Sequence, residues 1–245
     1  VTLPPTTDPS KITLSAEESH HLIVVNRARV GATVVAFDGR GTEWQTQLRS
    51  DRKNAAVLSV ASHRTVPRLP YSITLGQALP KGPAMDSIVR KATEIGVARI
   101  VPLESERTQV HLAGDRSDRK TGKWHLAALE AAKQCGNPFV PEVLPVQDAS
   151  AFMRVSGGYD LKLIASLHPG ATSLKPVLKA FQATHGLPPQ NVLWLIGPEG
   201  DFSPAEMALA LEVGFKPITL GPLVLRSETA AVYALSVLSY ALQNE

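Results

Sequence analysis

Two glycine-proline turns near the C-terminal end of the sequence have the residue types of a ligand-binding loop. The first, Gly197-Pro198-Glu199-Gly200, follows an apolar run and precedes Ser203-Pro204, a strong helix start. The second, Gly221-Pro222, also lies between an apolar run and a helix start. Glycines let a ligand approach the backbone, and open α/β sheets bind ligands at the carboxyl ends of their strands. We expect both turns to build one pocket, with residues 167–170 as a further wall.

The composition of these loops narrows the class of ligand. The loops contain neither the phosphate-binding patterns G-x-G-x-x-G and G-x-x-x-x-G-K-[ST] nor the nucleophile elbow G-x-S-x-G. Dinucleotide, nucleoside triphosphate and serine hydrolase sites therefore lose their main support. Leu220, Val224 and Leu225 suit a ligand held by backbone hydrogen bonds and by aliphatic packing around an aromatic ring. The alternative is that each Gly-Pro is only a turn, but two similar loops favour the pocket.

The elements that must position these loops alternate between strand and helix beyond residue 70, which predicts an α/β domain with parallel strands. Predicted strands cover 72–78, 99–103, 161–166, 191–196 and 216–220, and predicted helices cover 85–95, 118–135, 174–184, 203–214 and 227–243. Residues 12–66 instead have short alternating apolar runs between turns, which predict a small, mostly β barrel. Pro67-Arg68-Leu69-Pro70 is typical of a stiff linker. The predicted domains are therefore 1–66 and 71–245.

Composition excludes several classes of protein. The single cysteine, Cys135, rules out an internal disulfide and a thiolate zinc cluster, so we expect no metal. Adjacent His20 and His21 point different ways with no third ligand near in sequence, which favours helix packing or contact with a partner over metal binding. No apolar run approaches the roughly 18 residues needed to cross a bilayer. We therefore expect no membrane association and a cytoplasmic location.

The charge is unevenly placed along the chain. Residues 1–70 hold nine Lys and Arg against six Asp and Glu, whereas residues 71–245 hold 16 of each. A basic N-terminal module suggests a polyanion as partner. An excess of three charges is also within chance, so charge alone does not decide between a polyanion-binding module and an ordinary solvated surface.

Two extended motifs contain the glycine-proline turns: Ile196-Gly197-Pro198-Glu199-Gly200 with Phe202-Ser203, and Leu220-Gly221-Pro222 with Leu225-Arg226-Ser227-Glu228-Thr229-Ala230-Ala231. Four further segments accompany them: Lys91-Ala92-Thr93-Glu94-Ile95-Gly96-Val97, Glu130-Ala131-Ala132-Lys133-Gln134-Cys135-Gly136, His20-His21-Leu22 and Phe37-Asp38-Gly39-Arg40-Gly41. With these motifs, the sequence resembles the RsmE-type methyltransferases of the SPOUT superfamily over nearly its whole length.

The resemblance implies a fold and a cofactor. The fold is an N-terminal PUA-like β-barrel that binds RNA, followed by a parallel-sheet α/β methyltransferase domain with a trefoil knot, in a homodimer whose catalytic domains pair. The cofactor is S-adenosylmethionine. The residues expected to bind it are Leu167, Ile196, Gly197, Pro198, Glu199, Gly200, Leu220, Gly221 and Leu225.

The same resemblance implies methylation of N3 of a uridine in bacterial 16S ribosomal RNA. N3 carries a proton at neutral pH, and it must lose this proton to attack a methyl group. Arg226 would stabilise the anion that develops on the uracil carbonyls, and Glu228 is a candidate base. The first turn of a helix favours the charged form of Glu228, which makes the carboxylate a weaker base. The alternative is that positioning of N3 in line with the methyl group supplies most of the rate acceleration. A purely structural alternative is a salt bridge between Arg226 and Glu228.

The expected partner is 16S ribosomal RNA or the small ribosomal subunit. Six cations of the barrel are candidates to neutralise RNA phosphates: Arg27, Arg29, Arg40, Arg49, Arg52 and Lys53. Where the family has arginines, the chain has Leu223 and Asn137-Pro138-Phe139, and the family's first strand is not recognisable in residues 1–10. Two alternatives stay open: a SPOUT enzyme acting on ribose 2′-OH or on tRNA, and a ribosome-assembly protein without catalysis.

Overall fold

A computed structural model describes residues 10–112, 114–168 and 170–243. The chain divides into two compact units. The first contains the chain up to Arg68 together with Ala132–Val140, and the second contains Leu69–Ala131 and the chain from Pro141 onwards. The domain limits 1–66 and 71–245 stay predictions. The sequence did not reveal that Ala132–Val140 packs with the N-terminal residues.

The first unit is built on a four-stranded antiparallel sheet in the order β1-β4-β3-β2. Its elements are β1 (Lys11–Thr13), α1 (Ala16–His20) with a π-helical turn (His21–Val25), β2 (Thr33–Phe37), β3 (Thr42–Ser50) and β4 (Val57–Thr65). Ser15 caps the start of α1, because its hydroxyl accepts a hydrogen bond from the Glu18 N–H at 3.2 Å. Residues 1–9, in which the family's first strand is not recognisable by sequence, lie outside the described residues.

The alternating apolar residues of these strands meet in one core. Ile12, Leu48 and Leu58 are almost fully buried at its centre, beneath Leu22 of the helical segment. In β2, Val34 and Ala36 are buried whereas Thr33 and Val35 are exposed, which is the alternation of a half-solvated antiparallel sheet. The short alternating runs of residues 12–66 therefore correctly predicted a mostly β unit.

The segment Ala132–Val140 joins this unit through the turn between β2 and β3. Gly41 donates its N–H to the Pro138 carbonyl at 3.1 Å, and Val140 donates to the Gly39 carbonyl at 3.0 Å. The Phe139 ring lies so close to Gly41 that a Cβ there would be 2.5 Å from it. The Arg68 guanidinium covers the same ring, 4.6 Å from its centroid. The Asn137-Pro138-Phe139 sequence is therefore a packing segment.

The second unit is an α/β layer built on a parallel sheet in the order β11-β9-β10-β5-β6-β7, with β8 also paired to β6. Its strands are β5 (Ser72–Ala78), β6 (Arg99–Glu104), β7 (Glu142–Val143), β8 (Gln147–Asp148), β9 (Leu161–Ala165), β10 (Asn191–Ile196) and β11 (Lys216–Ile218). Its helices are α2 (Ala84–Ile95), α3 (Asp115–Cys135), α4 (Ala149–Arg154), α5 (Leu174–His185), α6 (Pro204–Glu212) and α7 (Ser227–Leu242). The last turn of α3 belongs to the first unit.

The helix ends follow the sequence signals. Ser203 and Glu206 form a complete capping box at the start of α6, with Pro204 in the first turn. Gly96 ends α2 in the left-handed conformation at φ 90°. The short helix α4 was not predicted, although Asp148 caps it by accepting from the Ala151 N–H. None of the helices in the described part of the chain is long and apolar enough to span a membrane.

The centre of the sheet is closely packed. Trp194 of β10 is fully buried between Leu163 of β9 and Leu75 of β5, its neighbours in register. Gly76 lies beside Leu195, and a Cβ at Gly76 would overlap the Leu195 Cδ2. Leu195 is itself fully buried, so it has no free space into which to move.

This close approach predicts opposite effects of two glycine-to-alanine substitutions. Gly76→Ala should lower the free energy of unfolding by about 1–3 kcal/mol, because the new methyl group overpacks the core. Gly122→Ala, in α3, has nothing within 4 Å of its Cβ and should raise stability by about 0.5–1 kcal/mol through the better helix propensity of alanine. Denaturant unfolding of both variants measures this difference. Equal midpoints would contradict the packing described for Gly76.

Candidate functional site

The loops that carry the glycine-proline turns follow neighbouring strands. Strands β11, β9 and β10 are adjacent and parallel, so the loops after Ile218, Ala165 and Ile196 emerge at one edge of the sheet. The order along the chain is β9, β10, β11, and the sheet places β9 in the middle. The position of β9 is why the 167–170 loop, predicted as a third wall, stands beside the two turns. Pro169 of that loop lies outside the described residues.

Together the three loops enclose a space that we call the loop cavity. It holds about 560 Å³, a volume that includes solvent at its open mouth. Its lining residues are Ala165, Ser166, Leu167, Ile196, Gly197, Pro198, Glu199, Asp201, Leu220, Gly221, Leu223, Val224, Leu225, Ser227 and Ala230. All the residues expected to bind the cofactor are among them except Gly200. Their role in binding stays a prediction.

Gly200 faces a different neighbour. Its carbonyl accepts a hydrogen bond from the Arg107 guanidinium at 2.8 Å, and its missing side chain leaves room for the Arg107 stem, 3.4 Å from an ideal Cβ. Beside it, the buried Glu206 carboxylate accepts from the Glu106 N–H at 3.0 Å. The loop after β6 therefore supports the Gly-Pro-Glu-Gly turn from outside the cavity.

Ser227 ties the two glycine-proline loops together. Its hydroxyl donates to the Gly197 carbonyl at 2.9 Å and accepts from the Gln77 amide at 3.0 Å. Gln77 is fully buried at the end of β5, where it is in register with Ile196. The first residue of α7 is thus fixed to the turn after β10, so the two loops keep one relative position.

A second space, which we call the Arg226 cavity, adjoins the first. Its lining residues are Lys81, Pro83, Ala84, Ser87, Glu199, Arg226 and Glu228. Glu199 lines both cavities, and one of its carboxylate oxygens accepts from the Lys81 N–H at 2.9 Å. A ligand in the loop cavity and a second molecule in the Arg226 cavity would therefore meet beside Glu199.

The two predicted catalytic residues both face the Arg226 cavity. Arg226 is the exposed residue before α7, and Glu228 is half-buried in the first turn of that helix. Within the described ranges of the chain, no salt bridge joins Arg226 to Glu228, so the structural alternative of an internal ion pair does not hold here. Both side chains are available to a molecule that enters the cavity.

Sequence reasoning missed several residues of this site. Lys81 adds a second cation to the Arg226 cavity, and Gln77 and Ser227 form the internal tie. The predicted strand at 72–78 and the predicted helix at 85–95 leave Lys81 in the loop between them, and that position was the available signal for this residue. The tie had no such signal, because it joins residues 150 positions apart.

The predicted RNA-contacting residues are all exposed on the first unit. Arg49, Arg52 and Lys53 occupy the end of β3 and the turn after it, and Arg27 and Arg29 precede β2, which begins opposite Gln47. Arg40 lies at the other end of the sheet, in the turn between β2 and β3. The structure therefore groups five of these cations near one end and separates Arg40 from them.

The turn that holds Arg40 is fixed by Asp38. The Asp38 carboxylate accepts from the Arg40 N–H at 2.7 Å and from the Thr42 N–H at 3.0 Å. Burial alone would raise the pKa of this carboxyl, but these hydrogen bonds outweigh burial and hold the pKa below its ordinary value. The described residues contain no group of three or more His, Cys, Asp or Glu arranged to bind a metal ion. The expectation of no metal stays a prediction.

Comparison with known proteins finds a family model for most of each unit. A family model of the RNA methyltransferase domain matches residues 67–239, and a model of the RNA methyltransferase PUA domain matches residues 14–60. Ribosomal RNA small subunit methyltransferase E of Synechocystis is 32% identical over 95% of this chain and 74% of its own length. The Bacillus subtilis protein of the same name is 30% identical over 93% of this chain and 89% of its own.

Solved structures agree with this placement. A methyltransferase from Legionella pneumophila, solved with bound S-adenosylmethionine, is 34% identical with a TM-score of 0.87 and covers 98% of this chain and 96% of its own. Ribosomal RNA small subunit methyltransferase E of Neisseria gonorrhoeae, bound to S-adenosylmethionine, is 28% identical with a TM-score of 0.88 and the same coverage. The expected SPOUT fold with an N-terminal PUA domain is confirmed, and the knot stays a prediction. The chain belongs to the family of the ribosomal RNA small subunit methyltransferases E.

Proposed function

We propose that this protein transfers a methyl group from S-adenosylmethionine to N3 of a uridine in 16S ribosomal RNA. The observation that carries the proposal is the shared border of the two cavities at Glu199. One cavity has the lining of a cofactor site, and the other holds the charged groups that a uracil ring requires. The relatives from Synechocystis and Bacillus subtilis are named as methyltransferases of small-subunit ribosomal RNA.

The loop cavity fits S-adenosylmethionine. Leu167, Ile196 and Leu225 offer aliphatic surface for the adenine ring. Gly221, at φ 113°, is in a conformation that residues with side chains rarely adopt, and a Cβ at Gly197 would lie 3.0 Å from the Asp201 Oδ1. The loops thus expose backbone groups at close range. When bound, the cofactor supplies a methyl group on a positively charged sulfur.

The Arg226 cavity accounts for the choice of a uracil nitrogen. N3 of uridine must give up its proton as it forms a bond to the methyl carbon, while the bond from that carbon to sulfur breaks. The negative charge spreads onto both flanking carbonyl oxygens during this step. Arg226 and Lys81 provide two cations in the cavity to stabilise that charge. Glu228 is the carboxylate placed to accept the proton, and fixed positioning of the ring supplies further rate.

The RNA partner is the small-subunit ribosomal RNA, either free or in the assembled subunit. Because this RNA is synthesised and assembled in the cytoplasm, the protein would act there. The cations near one end of the first unit's sheet, Arg27, Arg29, Arg49, Arg52 and Lys53, would bind phosphates without reading sequence. Arg40 would make a separate contact at the opposite turn.

A homodimer is supported by the outer face of α7. Tyr233 and Tyr240 lie on that face, and Tyr240 is 76% exposed. They follow Thr229 and Ser236 at helical spacing, so one side of the helix presents two aromatic rings to solvent. Leu223 and Val224, in the loop before α7, are 74% and 78% exposed. Covering this apolar surface with a second copy would also enclose the loop cavity.

The product of methyl transfer tests the proposed activity. Purified protein, labelled S-adenosylmethionine and 16S ribosomal RNA lacking the modification should yield N3-methyluridine, identified by mass spectrometry of the nucleosides. A 2′-O-methyl nucleoside, or methylation of tRNA alone, would contradict the assignment. Absence of both transfer and cofactor binding would favour a ribosome-assembly protein.

In the same assay, Gly197→Val should abolish both transfer and calorimetric binding of S-adenosylmethionine, because the side chain would collide with Asp201 and fill the cavity. Gly157→Ala, which has open space around its Cβ, is the matched control and should leave both unchanged.

Substitution of Arg226 tests its role in the chemical step. Arg226→Ala should lower kcat by about 10²–10³-fold, the loss typical for one group that stabilises developing charge, and should leave cofactor affinity within about twofold. Arg226→Lys should recover part of the rate because it keeps the charge. Arg154→Ala, an exposed arginine in α4 outside both cavities, serves as the control. Equal losses of turnover and cofactor affinity would assign Arg226 to cofactor binding.

The oligomeric state depends on α7 in this proposal. Light scattering of the unmodified protein should give about twice the 26.2 kDa of one chain. Tyr240→Glu should shift the mass to that of a monomer, because a charge would be buried in an apolar contact. Leu187→Glu, at another exposed apolar position, should leave the dimer intact. A monomeric native protein would rule the dimer out.

A further inference from the structure

A cluster of four cations lies on one face of α3, outside the site described above. Arg116, Arg119, Lys120 and Lys123 line a shallow cavity on that helix, and all four are exposed. Their spacing places them within an arc of roughly 100° around the helix axis. Asp115 and Asp118 fall outside this arc, on the adjoining side. We call these four residues the α3 cation face.

This arrangement is unfavourable for the isolated helix. Like charges three or four positions apart destabilise a helix by roughly 0.2–0.5 kcal/mol per pair. The cations also occupy the first turns of α3, which begins at Asp115, where the helix dipole disfavours positive charge. A polyanion bound to this face would remove both costs.

In the described part of the chain, Lys123 is the one member of this face that pairs with an acidic side chain. Lys123 forms an ion pair with Asp86 of α2, and Arg119 donates to the Asp115 carbonyl at 3.1 Å. For Arg116 and Lys120, the described portion of the chain provides no hydrogen-bond or ion-pair partner. The face therefore keeps net positive charge available to a ligand.

The α3 cation face contacts the turn of α2 that borders the Arg226 cavity. Ala84 and Ser87 of the first turns of α2 line that cavity, and Asp86 lies between them in sequence. Asp86 points to α3 instead: its carboxylate accepts from the Trp124 indole at 3.1 Å and pairs with Lys123. The same turn of α2 thus borders the proposed base site and holds the cation face in place.

We propose that the α3 cation face binds phosphates of the RNA strand that flanks the target nucleotide. The inference rests on the proposed function, since it takes the Arg226 cavity as the site of the base. The four residues extend over two helical turns, about 10 Å along the axis, which exceeds the size of one phosphate and matches a run of backbone. Arginine and lysine contacts of this kind position RNA without reading its bases.

A triple substitution tests this face. Arg116→Gln, Arg119→Gln and Lys120→Gln are combined, and Lys123 is kept because its ion pair holds α2 to α3. The probe is a 16S ribosomal RNA transcript containing the methylated region, with affinity measured over a range of salt. Loss of two or three phosphate contacts should flatten the slope of log affinity against log salt by about 0.7–0.9 per contact. Affinity at low salt should fall at least tenfold, and kcat at saturating RNA should change little.

The matched control carries the same change of charge in the same unit. Arg154→Gln, Lys175→Gln and Lys179→Gln alter exposed cations of α4 and α5 and should keep the native slope. Calorimetry should give unchanged S-adenosylmethionine affinity for both triple variants. A native slope in the α3 variant, or an equal loss in the control, would overturn the proposal. Failure of the unmodified protein to methylate the RNA would instead reject the proposed function.

Discussion

The parallel pairing of β9 between β10 and β11 is the constraint on which the rest of the structure depends. It brings three loops from separate parts of the chain to one edge of the sheet, where their glycines can face a common space. The Ser227 hydroxyl then joins two of these loops to the buried Gln77. Because Ser227 stands between Arg226 and Glu228, the same hydrogen bonds that shape the loop cavity also set the position of the charged pair.

Much of the second unit was predictable because its signals are local. The apolar run of β10 and the Ser203-Glu206 capping box each specify their element within a few residues. The helix α4 was missed because it spans only six residues, too few for a clear periodicity. In the first unit, the π-helical turn at His21–Val25 was not expected, since residue types do not distinguish it from an ordinary helical turn.

The residues of the site that belong to a sequence motif could be predicted. The contacts between residues far apart in sequence could not. The glycine-proline turns indicated the loop cavity, and the family resemblance added Arg226 and Glu228. Neither source indicated that Glu199 borders both cavities or that Lys81 enters the second, because these relations depend on the order of β5, β9 and β10 in the sheet. The motif predicted that Gly200 lines the loop cavity, whereas its carbonyl in the structure accepts a hydrogen bond from the Arg107 guanidinium.

The Ala132–Val140 segment has a consequence for how this protein can be divided. The chain leaves one unit for the other after Arg68, after Ala131 and after Val140, so no single cut separates two complete units. A catalytic fragment starting near residue 70 would keep Phe139 but lose Gly41 and Arg68, and an apolar ring that is now covered would face water. The N-terminal module in turn cannot be exchanged as a block by homologous recombination. Any chimaera must inherit residues 132–140 from the same parent as the module.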